Sequence, residues 1–269
     1  MRRVTLSSVP RTRCALLACV VCLCSAPAGA QSAASLVTTL PADFAHLFTP
    51  SNAIILGIGS AGSGAIHPKD DAIAERIRAE TGARERFFEA GATIGDGAEQ
   101  GAFALGVYVI GRASHSARVG ALGADLVDAQ IVNGVLTQGL KAAVNRRRPS
   151  GSKHSFPSGH TSATFATAAV IQEHYGWKAA APFYALGGYV SVSRMVDNQH
   201  FASDVIFGAA LGIVSGRAAS VGHGPHRVSV SPAAVPRGIA IIGTIGPSRS
   251  EGHKDVRNHE DHEAHEGKN

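Results

Sequence analysis

The chain has 269 residues, 31 of them glycine, with 25 Lys and Arg against 20 Asp and Glu. All four cysteines (Cys14, Cys19, Cys22, Cys24) and four of the arginines (Arg2, Arg3, Arg11, Arg13) lie in the first 30 residues. A basic start, an apolar run over 14–25 too short to span a bilayer, and Ala28-Gly29-Ala30 as a small-x-small site read as a secretory signal. The expectation is a signal over 1–30, a mature chain from Gln31, and a periplasmic or secreted location. The remainder holds 21 basic and 20 acidic residues and no cysteine, which excludes disulfide or thiolate chemistry and gives no charge argument for nucleic acid.

About 240 residues of Ala- and Gly-rich, aromatic-poor sequence suit one domain of closely packed helices. The patterning gives a flexible entry over 31–40, a short helix over 42–48, and an apolar Gly-rich segment over 51–66 closed by Pro68. A solvated helix or helix pair follows over 70–90. Helices are then expected over 98–111, 117–147, 159–175, 179–194 and from 200 or 203 to 217. The 117–147 segment is apolar around much of its circumference, the mark of a central helix, and Pro149 stops it. No uninterrupted apolar run reaches ~18 residues, so bundle helices are preferred over membrane spans. Alternation in Val228-Ser229-Val230-Ser231 and the apolar run 239–245, with Pro232 and 235–238 between them, suggest a β-hairpin within 221–247. The charged, His-rich end over 248–269, with His259, His262 and His265, reads as disordered.

Three short segments carry chemistry. In the first, Lys141 and Arg148 are seven residues apart, two helical turns on one face, and Pro149 follows. Arg146 and Arg147 point elsewhere and read as surface charges. The second is Pro157-Ser158-Gly159-His160. Ser158 is a candidate N-cap, Gly159 admits a ligand to the backbone, and the first amides of the helix present an anion site. His160, in the first turn, can donate a proton to a leaving oxygen. In the third segment, Arg194 offers a planar cation, and His200 and Asp204 share a helix face four residues apart. A carboxylate on one imidazole nitrogen leaves the other as nucleophile or base. Lys153 and His154 lie in the loop between the first two segments and read as solvated, and His174 reads as a C-terminal cap.

Jointly, in this order and spacing, the segments resemble the type 2 phosphatidic acid phosphatase superfamily, which also holds bacterial class A acid phosphatases and vanadium haloperoxidases. The resemblance covers roughly residues 138–217 with every signature position intact. It implies an all-α helical-bundle domain over 31–220 and a phosphohydrolase that needs no metal and no cofactor. His200 would form a phosphohistidine, Asp204 would orient it, and His160 would protonate the leaving alcohol and then activate water. Lys141, Arg148, Arg194, Ser158 and the Gly159 amide would hold the phosphate oxygens. Phosphoryl transfer needs mainly positioning and charge neutralisation, which three cations and helix-end amides supply. The substrate would be a phosphomonoester or a lipid phosphate or diphosphate, with association at a membrane surface left open. A vanadate-dependent haloperoxidase and a non-catalytic phosphate or phospholipid binder are the alternatives.

Overall fold

The computed structural model describes residues 33–79, 85–220, 226–235 and 238–247. The expected signal and the His-rich tail lie outside the described residues. Helices run in the order α1 (Ala33–His46), α2 (Pro50–Ile66), a 3₁₀ turn (His67–Lys69), α3 (Asp70–Ala79), α4 (Glu85–Ile94), α5 (Gly97–Ala113), α6 (Ala117–Val144), α7 (Gly159–Tyr175), α8 (Trp177–Val196) and α9 (Ala202–Ala219). Strands β1 (His226–Val235) and β2 (Gly238–Pro247) follow as an antiparallel pair. The domain is a helical bundle, as expected from the sequence, with α6, α7 and α9 at its centre.

Local chemistry sets the ends. Ser158 caps α7 by accepting from the Thr161 amide at 3.4 Å, and Gly176, at φ 82°, ends it. Ser116 and Asp96 cap α6 and α5 in the same way. Three boundaries differ from the sequence reading. The 31–40 stretch is largely helical, because α1 begins at Ala33. Helix α6 stops at Val144, where Asn145 turns left-handed (φ 46°), so Arg146 leaves the helix and points inward. Pro232 lies inside β1 opposite Ile241, where a two-stranded sheet still offers a free edge to a residue without an N–H.

The core is built from small side chains. Ala104, Leu126, Ala129, Ala166, Val170 and Ala219 form one cluster, and Leu47, Val132, Val214 and Ala218 another. Small residues let helices approach closely. A Cβ at Gly212 of α9 would sit 2.1 Å from the Ser162 carbonyl oxygen of α7, and one at Gly216 would sit 2.4 Å from that of Ala166. Neither carbonyl can retreat without moving a helix. Gly212→Ala is therefore expected to destabilise the fold by about 3 kcal/mol through overpacking, read as a fall in the denaturant midpoint at unchanged m-value.

Among the described residues, two helices, α6 and α9, are long and apolar enough by length and composition to cross a membrane. The two qualify on average hydropathy where no uninterrupted run did, because scattered polar residues break a run without lowering the average, and a buried core helix qualifies in the same way. In α9, 67% of the apolar window is buried inside the bundle, as in a core helix.

Candidate active site

The three segments converge on one cavity of about 670 Å³ at the shared end of α6, α7 and α9. Its lining includes Lys141, Arg148, Gly159, His160, Arg194 and His200, together with Asp96, Gln130, Asn133, Gln138, His154 and Gln199. Ser158 differs from its expected place. Its side chain is fully buried, donates to Thr161 Oγ1 at 3.0 Å and serves as the helix cap, so its hydroxyl does not line the cavity. The Ser158 amide donates to the Asp204 carbonyl at 3.1 Å, which ties the start of α7 to the start of α9.

The cations are held at the wall. Lys141 Nζ donates to the His154 carbonyl at 2.8 Å, which gives that loop residue a structural reason to sit at the site. Arg148 donates through Nε to the Lys153 carbonyl at 3.1 Å and through a terminal nitrogen to Gln199. Arg194 pairs with Asp197 at 2.8 Å, while its Nε is buried without a partner among the described residues. Burial pulls the Arg194 pKa below the ordinary arginine value, and Asp197 opposes the shift. Unspent guanidinium hydrogens beside a cavity suit an anion.

His200 is buried at 3% exposure, and its Nδ1 stands 3.7 Å from Asp204 Oδ2. That is the spacing of a charge contact rather than of a hydrogen bond, and Nδ1 has no hydrogen-bond partner among the described residues. Burial lowers the His200 pKa and the Asp204 carboxylate opposes it, so the imidazole is the neutral, nucleophilic form at neutral pH. His160 is half-buried, and burial with Arg194 lowers its pKa to about 4. The one opposing carboxylate is Asp96, the N-cap of α5, at 3.8 Å.

Asp204 sits at the centre of a network the sequence did not reveal. Its Oδ2 accepts from the Phe201 amide at 2.8 Å and from Ser155 Oγ at 2.5 Å. Its Oδ1 accepts from Arg146 at 2.6 Å. The other Arg146 terminal nitrogen donates to Asp70 Oδ2 at 2.8 Å, and the guanidinium lies 4.3 Å over the Phe201 ring. Asp70 in turn accepts from the Ser203 amide at 3.0 Å and from its hydroxyl. Arg146 is thus no surface charge. Once α6 ends at Asn145, its side chain bridges two buried carboxylates, one from α3 and one from α9. Arg147 is exposed, as expected. Neither Arg146 nor Asp70 carried a local signal of this role in the sequence. His174 likewise is not a simple cap: it is buried and pairs with Asp125 of α6 at 2.8 Å.

Residues 123–226 match the PAP2 superfamily model. Over 98 residues, 34% of this chain, the sequence is 39% identical to the lipid A 1-phosphatase of Porphyromonas gingivalis, but the match spans only 21% of that relative's length. Among solved structures, Aquifex aeolicus LpxE superposes on 55% of this chain and 92% of its own, at 22% identity and a TM-score of 0.47. The transmembrane PAP2-type phosphatidylglycerolphosphate phosphatase of Bacillus subtilis covers 63% of this chain and 92% of its own, at 20% identity and a TM-score of 0.49. The region that matches the PAP2 superfamily contains all three segments and the helices that bring them to one cavity.

Proposed function

We propose that this chain is a phosphohydrolase that releases phosphate from lipid phosphates through a phosphohistidine on His200. The observation that carries the reading is the joint lining of one cavity by two histidines of lowered pKa and three cations. In the first step His200 Nε2 attacks phosphorus, the ester P–O bond breaks, and the His160 proton goes to the leaving alkoxide. In the second, water attacks phosphorus, gives its proton to His160, and the P–N bond breaks to free phosphate and His200. Lys141, Arg148, Arg194 and the Gly159 amide hold the non-bridging oxygens through both steps. The cradle carries the charge neutralisation, so neither step calls on a metal.

A lipid substrate is favoured by the family match, by the relative named a lipid A 1-phosphatase, and by the apolar surface. Ile54 and Ile58 of α2, Phe87 of α4, Ile110 of α5 and Trp177 of α8 are each more than 60% exposed. Together with two helices of membrane-crossing length, they support association with a membrane. The test is phosphate release in EDTA by the chain from residue 31, with phosphatidic acid, a prenyl phosphate and an aryl phosphate in parallel. Release from the lipids that survives EDTA supports the proposal, and release from the aryl phosphate alone would overturn the lipid assignment.

The His160 shift gives a pH prediction. In the empty site His160 is neutral at pH 7, and as the acid it must carry a proton when the bond breaks. Bound phosphate favours that proton, so kcat/KM is expected to fall as pH rises from ~5 to ~8. His160→Gln should lower the rate and flatten this limb, and a wild-type profile that rises towards pH 8 would contradict the role. Stability runs the other way. A pKa lowered from 6.5 to about 4 means the unfolded chain takes up the proton first, so stability is lost as pH falls through that window.

A further inference from the structure

We propose that the α6 wall of the cavity is a recognition site for a leaving group that carries hydroxyls, such as a glycerol or a sugar, next to the phosphoester. The inference rests on the phosphohydrolase reading and names the substrate class within it. Helix α6 is apolar over most of its surface, yet the residues it turns to the cavity below Lys141 include Gln130, Asn133 and Gln138. Gln130 and Asn133, at i and i+3, are neighbours on the helix surface, and Gln138 reaches the same cavity further along. An acyl or prenyl leaving group would pack on leucine or valine there. Three carboxamides offer carbonyl acceptors and amide donors instead.

Asn133 is the sharpest part of the wall. It is 3% exposed, and its Oδ1 is buried without a hydrogen-bond partner among the described residues. A buried carboxamide left unpaired is costly, and because Asn133 lines the cavity a ligand hydroxyl is the partner within its reach. Gln130 is fixed from behind. Its Nε2 donates to the Ala163 carbonyl and to Thr167 Oγ1, both at 3.0 Å. Thr167 donates to Gln100 at 2.6 Å, and Gln100 donates to the Ile94 carbonyl at 2.8 Å. This chain holds the wall still before a ligand arrives, so a matching hydroxyl is bound without reordering it. A site built to hydrogen-bond a hydroxyl discriminates strongly against an analogue that lacks it.

The test is calorimetric binding to the full chain carrying His200→Ala, so that no turnover is needed. Two pairs of ligands are compared. The soluble pair is glycerol phosphate and phenyl phosphate. The lipid pair, in detergent micelles, is phosphatidylglycerol phosphate and farnesyl phosphate. In at least one pair the hydroxyl-bearing member is expected to bind about tenfold tighter, with Asn133→Leu removing most of that ratio. Gln138→Leu, at an exposed position, should reduce the same ratio and serves if the Asn133 variant does not fold. A ratio that responds in the soluble pair names a free polyol phosphate, and one that responds in the lipid pair names a lipid head group. Ratios that neither variant moves in either pair would overturn the site. Phosphate release by the intact enzyme is measured separately, so absence of turnover counts against the phosphohydrolase reading while the binding ratios still decide this one.

Discussion

His200→Ala is expected to lower kcat/KM for phosphate release by on the order of 10⁴-fold or more, because removal of a nucleophile leaves only the binding contribution of the remaining site. The substitution truncates a buried ring, so folding must be checked by circular dichroism and by retained binding of inorganic phosphate. Lys141, Arg148 and Arg194 still line the cavity in the variant, and phosphate affinity should therefore change far less than rate. A binding protein would show the opposite pattern, with no activity to lose. Retention of full phosphatase activity by His200→Ala would end the assignment of the nucleophile.

Arg146→Ala is expected to produce the largest loss of stability among single charge removals. The guanidinium is the shared partner of Asp70, 3% exposed, and Asp204, fully buried. Two carboxylates left together in the bundle without it would repel one another, and breaking a buried pair in this way costs about 3–5 kcal/mol. In a domain of this size that lowers Tm by about 10 °C, readable by calorimetry. Rate should fall as well, because Asp204 faces His200 from the same carboxylate that Arg146 holds. Arg146→Lys should recover only part of either quantity, since a single ammonium cannot reproduce the planar fork that reaches both carboxylates. A variant that keeps wild-type Tm and rate would show that Ser155 and the Phe201 amide suffice to place Asp204.

The contrast between these two residues shows where sequence reading succeeded and where it stopped. The three segments are local patterns of residue type and spacing, and the fold needs little more than helical geometry to carry Lys141 to Arg148 or His200 to Asp204. Helix α7 was legible from Ser158 and Gly176, each with a conformational preference strong enough to fix an end. The central place of α6 followed from its apolar circumference. What was not legible depends on partners distant in the chain. Asp70 and Arg146 are 76 residues apart, and nothing local distinguishes Arg146 from Arg147 until Asn145 turns the backbone. Ser158 was assigned both a capping and a ligand role, and the buried geometry leaves it the cap. His174 looked like a helix end because its partner Asp125 lies on another helix. Asn133 and Gln130 were hidden by the apolar average of α6, which two amides barely alter.

The most direct test of the central claim is a rapid quench of turnover with a substrate labelled at the transferred phosphoryl group, followed by peptide mapping of the protein under alkaline conditions that preserve phosphohistidine. The account predicts label on His200, acid-labile and base-stable, formed in a burst and lost to water, with accumulation increased in His160→Gln under a substrate whose leaving group needs no proton. Turnover with no label on protein at any quench time, or label on a residue other than His200, would contradict it.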